Sequence, residues 1–387
     1  SIENQTGESM NGRTTKKVTD SDTIARLRDM ALRGLPRMFR PEEQLYVFCL
    51  RKTRDGIVPE GLSHRYTAIT LIGLAAEEQG AARAAAGGLS LHQVCDRLNQ
   101  DIEQVSNLGD VALTLWAARA IGYPDRNRMW KQLVALQPLE RAHPVVELSW
   151  TLDAACIDPD AAEARELREG LARRILGSFS SNSRVFPHVV GAGGTRSHVS
   201  CFADMVYPIH ALSNYARLTG DRPALEAAAA AAGKICELQG ENGQWWWHYD
   251  QRTGKVIEGY PVYAIHQDAM APMALFALKE AGGPDFSKAI QKGLNWLAYS
   301  PEIQGSLIDN EADLIWRKVA RREPGKLSRY AQAAASLVHP SLRIPGMNRL
   351  FPATAIDYED RPYHLGWLLY AWPAARAEGW DRAGGGA

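Results

Sequence analysis

The chain has 387 residues, with 44 Lys and Arg against 44 Asp and Glu, 45% hydrophobic and 23% charged residues. This composition excludes a disordered chain, and zero net charge argues against nucleic acid or an anionic membrane as partner. No apolar run reaches the ~20 residues of a membrane span, and the five cysteines are widely spaced with no CxxC, against a disulfide framework or structural zinc. A reduced, cytoplasmic protein is expected.

Residues 1–21 are polar, lack the apolar core of a signal peptide and read as a tail, as does 381–387. From there, amphipathic segments alternate with segments apolar around most of their circumference: 22–36 then 63–77, 91–104 then 108–121, 125–136 then 143–156, 160–178 then 203–217, 223–239 then 266–280, and 286–298 then 363–376. Surface helices carry an apolar stripe, and buried helices are apolar all round. Six such pairs in order predict an all-α fold, a single (α/α)6 toroid over 22–380, with the apolar helices inside. A closed ring also accommodates a length beyond the roughly 250–300 residues of one ordinary core. A two-domain helical bundle is the alternative, but no Pro/Ser-rich linker marks a cut.

A repeat supports the ring. Asp204 and Pro208 recur as Asp268 and Pro272 in the spacing Asp-x-x-x-Pro, each followed by an apolar helix. Both Asp residues can cap a helix, with Pro in its first turn. Three stretches interrupt the helices: 180–200, Gly/Ser-rich; 240–262, a short hairpin with turns at Asn242-Gly243 and Thr253-Gly254; and 299–362, with a helical piece near 325–337.

Residues 235–247 (ICELQGENGQWWW) and 266–298 resemble the prenyltransferase and squalene-cyclase repeat group. That resemblance implies an α/α toroid. At the place of the cyclase acid motif stands Ile265-His266-Gln267-Asp268, with one Asp. The resemblance makes Asp268, assisted by His266, a proton donor in an aromatic pocket.

The inner helices open with groups that donate, accept or titrate: His64, Arg65 and Tyr66; Asp204; His266 and Asp268; Tyr363 and His364. Capping explains Asp and Ser at such places but does not call for His or Arg. Chain-distant polar clusters at one end of a ring form a candidate ligand mouth. Read as a strand, Trp245 and Trp247 would face one way and Trp246 and His248 the other, with Tyr249 following, and one face would stack a ring-shaped substrate. Tyr263, Trp316, Arg361 and Trp367 complete the binding set.

The expected activity is that of a carbohydrate-active enzyme, a glycoside hydrolase or a uronate lyase or epimerase. Glycosidic cleavage takes two carboxylates, and the candidates are Asp268 with Asp204, Glu311 or Glu359. For a uronic acid, Arg65 would neutralise the carboxylate and Tyr66 with His64 or His266 would move the proton. A terpene cyclase-like enzyme and a non-catalytic binding toroid are the alternatives. No cofactor or metal is expected; the partner is a small molecule or oligosaccharide, and the chain a monomer or homodimer.

Overall fold

Ser63 shows how the sequence starts an inner helix. Its side chain accepts the Tyr66 N–H at 3.1 Å and its carbonyl accepts the Thr67 N–H at 3.0 Å, so the helix begins at His64. Asn107 accepts the Asp110 N–H at 3.0 Å in the same way. The computed structural model describes residues 23–191, 197–323, 327–339, 342 and 344–383; the segment 1–21 lies outside these.

Twelve helices among the described residues build the ring. The outer ones are α1 (Thr23–Met38), α3 (Leu91–Gln100), α5 (Asn127–Ala135), α7 (Ala164–Ser178), α9 (Arg222–Glu237) and α11 (Ser287–Ala298). The inner ones are α2 (His64–Leu74), α4 (Leu108–Ala120), α6 (Val145–Ile157), α8 (Phe202–Thr219), α10 (Ala271–Glu280) and α12 (Pro362–Ala371). Each inner helix packs on the next, and α12 packs back on α2, so the ring closes. A Cβ on Gly73 would sit 2.1 Å from the Gly366 carbonyl, and one on Gly366 would sit 2.8 Å from the Thr70 Cα. The first and last inner helices therefore touch backbone to backbone. The chain is one (α/α)6 toroid.

Short strands run into the inner helices at one end of the ring. β3 (Val199–Cys201) leads into α8 and lies beside β4 (His248–Asp250), which pairs with β5 (Val256–Glu258). β6 (Val262–Tyr263) precedes α10 and joins β7 (Lys318–Ala320) and β8 (Ala355–Asp357). β9 (Glu359–Asp360) leads into α12 and pairs with β1 (Cys49–Thr53), itself paired with β2 (Gly56–Glu60). Among the described residues these three sheets form the rim of the mouth.

The start of α10 departs from expectation. Asp268 does not cap it but lies inside a π turn, His266–Met270, where the Ala271 N–H bonds the His266 carbonyl. Pro272 explains this. It has no N–H to offer the Asp268 carbonyl, and its ring crowds that oxygen. The Trp372 indole N–H donates to the Asp268 carbonyl instead, at 2.6 Å. Such π turns occur frequently at functional sites.

Candidate active site

The mouth is organised around Glu359. Burial pushes its carboxyl up, but Arg361, Arg317 and Arg51 outweigh burial and hold it below the usual range. Arg361 donates to it at 2.9 and 3.1 Å and Arg317 at 3.3 Å. Arg317 also meets Asp357 at 3.3 Å, Lys318 meets Asp357 at 3.0 Å, and Arg51 meets Glu60 at 3.0 Å. Arg51, Arg317, Lys318 and Arg361 thus face Glu60, Asp357 and Glu359, four cations to three carboxylates. Glu359 serves this cluster as its anchoring anion. The Arg317 Nε is buried without a hydrogen-bond partner among the described residues.

Tyrosines surround these cations. Arg361 donates to the Tyr66 hydroxyl at 2.9 Å, which leaves the phenol proton pointing elsewhere. Tyr66 stacks on Tyr363 at 4.5 Å and on Phe48 at 5.4 Å. Tyr263 lies 5.3 Å from the Arg317 guanidinium and 4.7 Å from Trp247. Arg65 reaches the start of the neighbouring inner helix α4, to Asp110 at 2.5 Å and Asn107 at 2.9 Å, and lies over the Trp150 ring. Asn107 in turn donates to Glu147 at 3.0 Å.

Titratable groups lie buried at the starts of α10 and α12. His364 Nε2 stands 2.8 Å from Asp268. Burial opposes charge on this imidazole, but Asp268 outweighs it, so the His364 pKa is raised. Burial pushes Asp360 up to about 6 even though the Ile315 and Arg361 N–H groups donate to it. Burial also brings His266 down to about 3. It stays neutral at pH 7, stacked 5.8 Å from Trp247, and the expectation that it donates a proton is corrected on that ground.

Next to this region a cavity of about 460 Å³ is lined by His188, Val199, Cys201, Asp204, Trp247 and His248, with Arg329 and Tyr330 from the helix Leu327–Val338. His188 Nδ1 is 3.1 Å from both Asp204 oxygens. Asp204 is the third residue of α8 rather than its N-cap: its carboxylate reaches back to accept the Cys201 N–H at 2.7 Å, and Pro208 lies inside the helix instead of in its first turn. His198 is buried, bonded to Ser336 at 3.1 Å, and ties the Leu327–Val338 helix to the rim.

The three tryptophans do not alternate, because the strand begins only at His248. Trp245 is fully buried against Phe202 and the α11 backbone at Gly293. Trp246 packs on Tyr260, and Trp247 lines the cavity with His248. Tyr249 is buried in the wall.

Other candidates lie away from the mouth. Glu311 is exposed on a turn whose Ala312 and Asp313 hold Arg37 and Arg33 of outer helix α1, so it is not near Asp268 or Asp204. Trp316 packs edge-on against the exposed Tyr358. His64 is exposed among Arg97, Asp110 and Asp101. Trp367 lies on the ring axis with Trp116 at 5.4 Å and Tyr370 at 5.5 Å, part of an aromatic set whose members pack on one another.

No family model and no curated protein sequence matches the chain. Solved structures do. An unsaturated glucuronyl hydrolase from Bacillus sp. GL1, responsible for glycosaminoglycan degradation, is 14% identical, with a TM-score of 0.58 over 90% of this chain and 95% of that one. Cellobiose 2-epimerase from Bacillus thermoamylovorans is 12% identical, with a TM-score of 0.58 over 90% and 98%. A possible member of the GH105 family from Salmonella enterica is 10% identical, with a TM-score of 0.55 over 99% and 100%. At these identities the likeness establishes the fold, and the chain is similar to sugar-processing toroids along nearly its whole length.

Proposed function

We propose that this chain is a carbohydrate-active enzyme that takes an acidic sugar at the toroid mouth and works on it by proton transfer. One observation carries this reading: the four-cation, three-carboxylate cluster of Arg51, Arg317, Lys318 and Arg361 stands beside the stacked Tyr66 and Tyr363. A guanidinium fork matches a carboxylate, and an aromatic face matches the apolar face of a sugar ring. Tyr66, oriented by Arg361, is placed to pass a proton, and Trp247 supplies the stacking face. Glycoside hydrolysis, elimination and epimerisation of a uronic acid all draw on these parts. The similar solved structures, hydrolases of unsaturated glucuronides and a sugar epimerase, support the same class.

The test is direct. Oligosaccharides ending in a uronic acid and neutral ones of the same length are incubated with the chain in D2O and followed by NMR. Turnover of the acidic set is expected, as new reducing ends for hydrolysis, new reducing ends with an olefinic C4=C5 signal for elimination, or deuterium at the inverted carbon for epimerisation. Preference for the neutral set, or neither turnover nor calorimetric binding of either, would overturn the proposal.

A further inference from the structure

The cavity wall sets an imidazole beside a thiol and a carboxylate. The ligand atoms of His188, Cys201 and Asp204 all lie within 4.8 Å of one another. Cys201 ends β3 and Asp204 stands in the first turn of α8, so one strand–helix junction holds both, and His188 comes from the loop before β3. Cys201 and Asp204 form a reciprocal capping box, Asp204 accepting the Cys201 N–H and the Cys201 sulfur accepting the Asp204 N–H, and this box does not call for an imidazole on the same spot.

Metal geometry fits the spacing. Tetrahedral zinc with bonds of about 2.0–2.3 Å puts donor atoms roughly 3.3–3.7 Å apart, so the three groups close by about 1.5 Å at most. Thiolate, imidazole and carboxylate together suit a borderline-soft ion, whereas calcium and magnesium take oxygen ligands. We propose that His188, Cys201 and Asp204 bind one divalent ion of the zinc class, with the remaining coordination position open to the cavity lined by Trp247 and His248. Three protein ligands with an open position is the arrangement of a catalytic rather than a structural zinc. On binding, the Cys201 thiol proton goes to solvent and His188 coordinates as the neutral imidazole. The sequence argues against structural zinc because no CxxC occurs; this site draws its ligands from a different pattern. It does not depend on which substrate occupies the Arg–Tyr mouth.

Metal-stripped full-length chain is titrated with Zn2+ by calorimetry and with Co2+ by absorbance. One ion per chain is expected, with a Kd below ~1 µM, together with a thiolate-to-Co2+ charge-transfer band. Cys201→Ser should remove that band and weaken Zn2+ binding by about 100-fold, a loss of roughly 2.7 kcal/mol. His188→Gln lies on an exposed loop, so circular dichroism should be unchanged while affinity falls about 10-fold or more. Absent binding, a stoichiometry other than one, a Co2+ spectrum unaltered in Cys201→Ser, or full affinity in His188→Gln each overturns the site. Sugar turnover that fails while Zn2+ binding is intact bears on the mouth alone.

Discussion

His364 Nε2 lies 2.8 Å from one carboxylate oxygen of Asp268 and 3.0 Å from the other, with both residues buried, so the last inner helix is tied to the π turn of the fifth by a pair shielded from water. Removing one member of a buried pair strands the other. Asp268→Asn is therefore expected to cost about 3 kcal/mol of stability in urea unfolding at pH 7, and to act on turnover through position rather than contact. His364→Gln should cost a similar amount, and the double variant less than the sum of the two.

Asp360 gives stability a pH dependence of known sign. Its native pKa of about 6 lies above the ~3.9 of an unfolded chain, so folding favours the protonated form. That contribution is complete below about pH 4 and lost as pH rises through 6. His364 is raised as well, so its share is also lost with rising pH, above its native value. Relative to wild type, Asp360→Asn should gain up to about 3 kcal/mol between pH 4 and 7. Denaturant unfolding at four pH values measures this, and a flat difference would count against it.

Tyr66→Phe keeps both ring stacks and removes the hydroxyl that accepts from Arg361. Melting should change little, while kcat falls by about 100-fold or more with KM nearly constant. An unchanged kcat would remove Tyr66 from proton transfer.

Trp245 and Trp247 are two residues apart in sequence and opposite in consequence. Trp245→Ala opens a hole behind Phe202 and should cost about 3–5 kcal/mol of stability. Trp247→Ala, at the cavity wall, should weaken ligand binding by about 1–3 kcal/mol with little loss of fold. Equal stability losses would make Trp247 a packing residue.

Gly366→Ala tests ring closure. A methyl group there meets the α2 backbone at 2.8 Å, and no flexible side chain can yield. A loss of about 3 kcal/mol or more is expected in thermal or urea unfolding.

The helices were legible because each inner segment is apolar all round and each outer one is striped, a contrast that survives without any tertiary information. Capping by Ser at the start of the first inner helix was legible for the same local reason. Glu359 and Arg361 were legible as candidates, but their cluster with Arg51, Arg317 and Lys318 was not. It depends on β9 pairing with β1 across some 300 residues, and on β7 and β8 bringing Arg317 to Asp357. Arg317 stands in a segment whose acidic and basic residues read equally well as solvated loop. Phe48 gave no signal, because it is half exposed and acquires meaning only from Tyr66 and Arg361. Trp247 was found for a partly mistaken reason: the cost of exposing three indoles was sound, but strand alternation did not apply before His248.

The interlock of Gly73 with Gly366 also has a meaning in time. Their backbones meet only after 293 further residues have been made, roughly 15–60 s of synthesis at 5–20 residues per second. Until then the apolar flank of the first inner helix has no partner on that side, and the nascent chain is an open arc rather than a ring. Such an arc exposes two unmatched faces at once, and in a crowded cell the open end of a second arc is an available substitute for its own. Mispairing between copies is thus the failure most natural to this architecture, and the speed at which the final helix docks decides how often it happens.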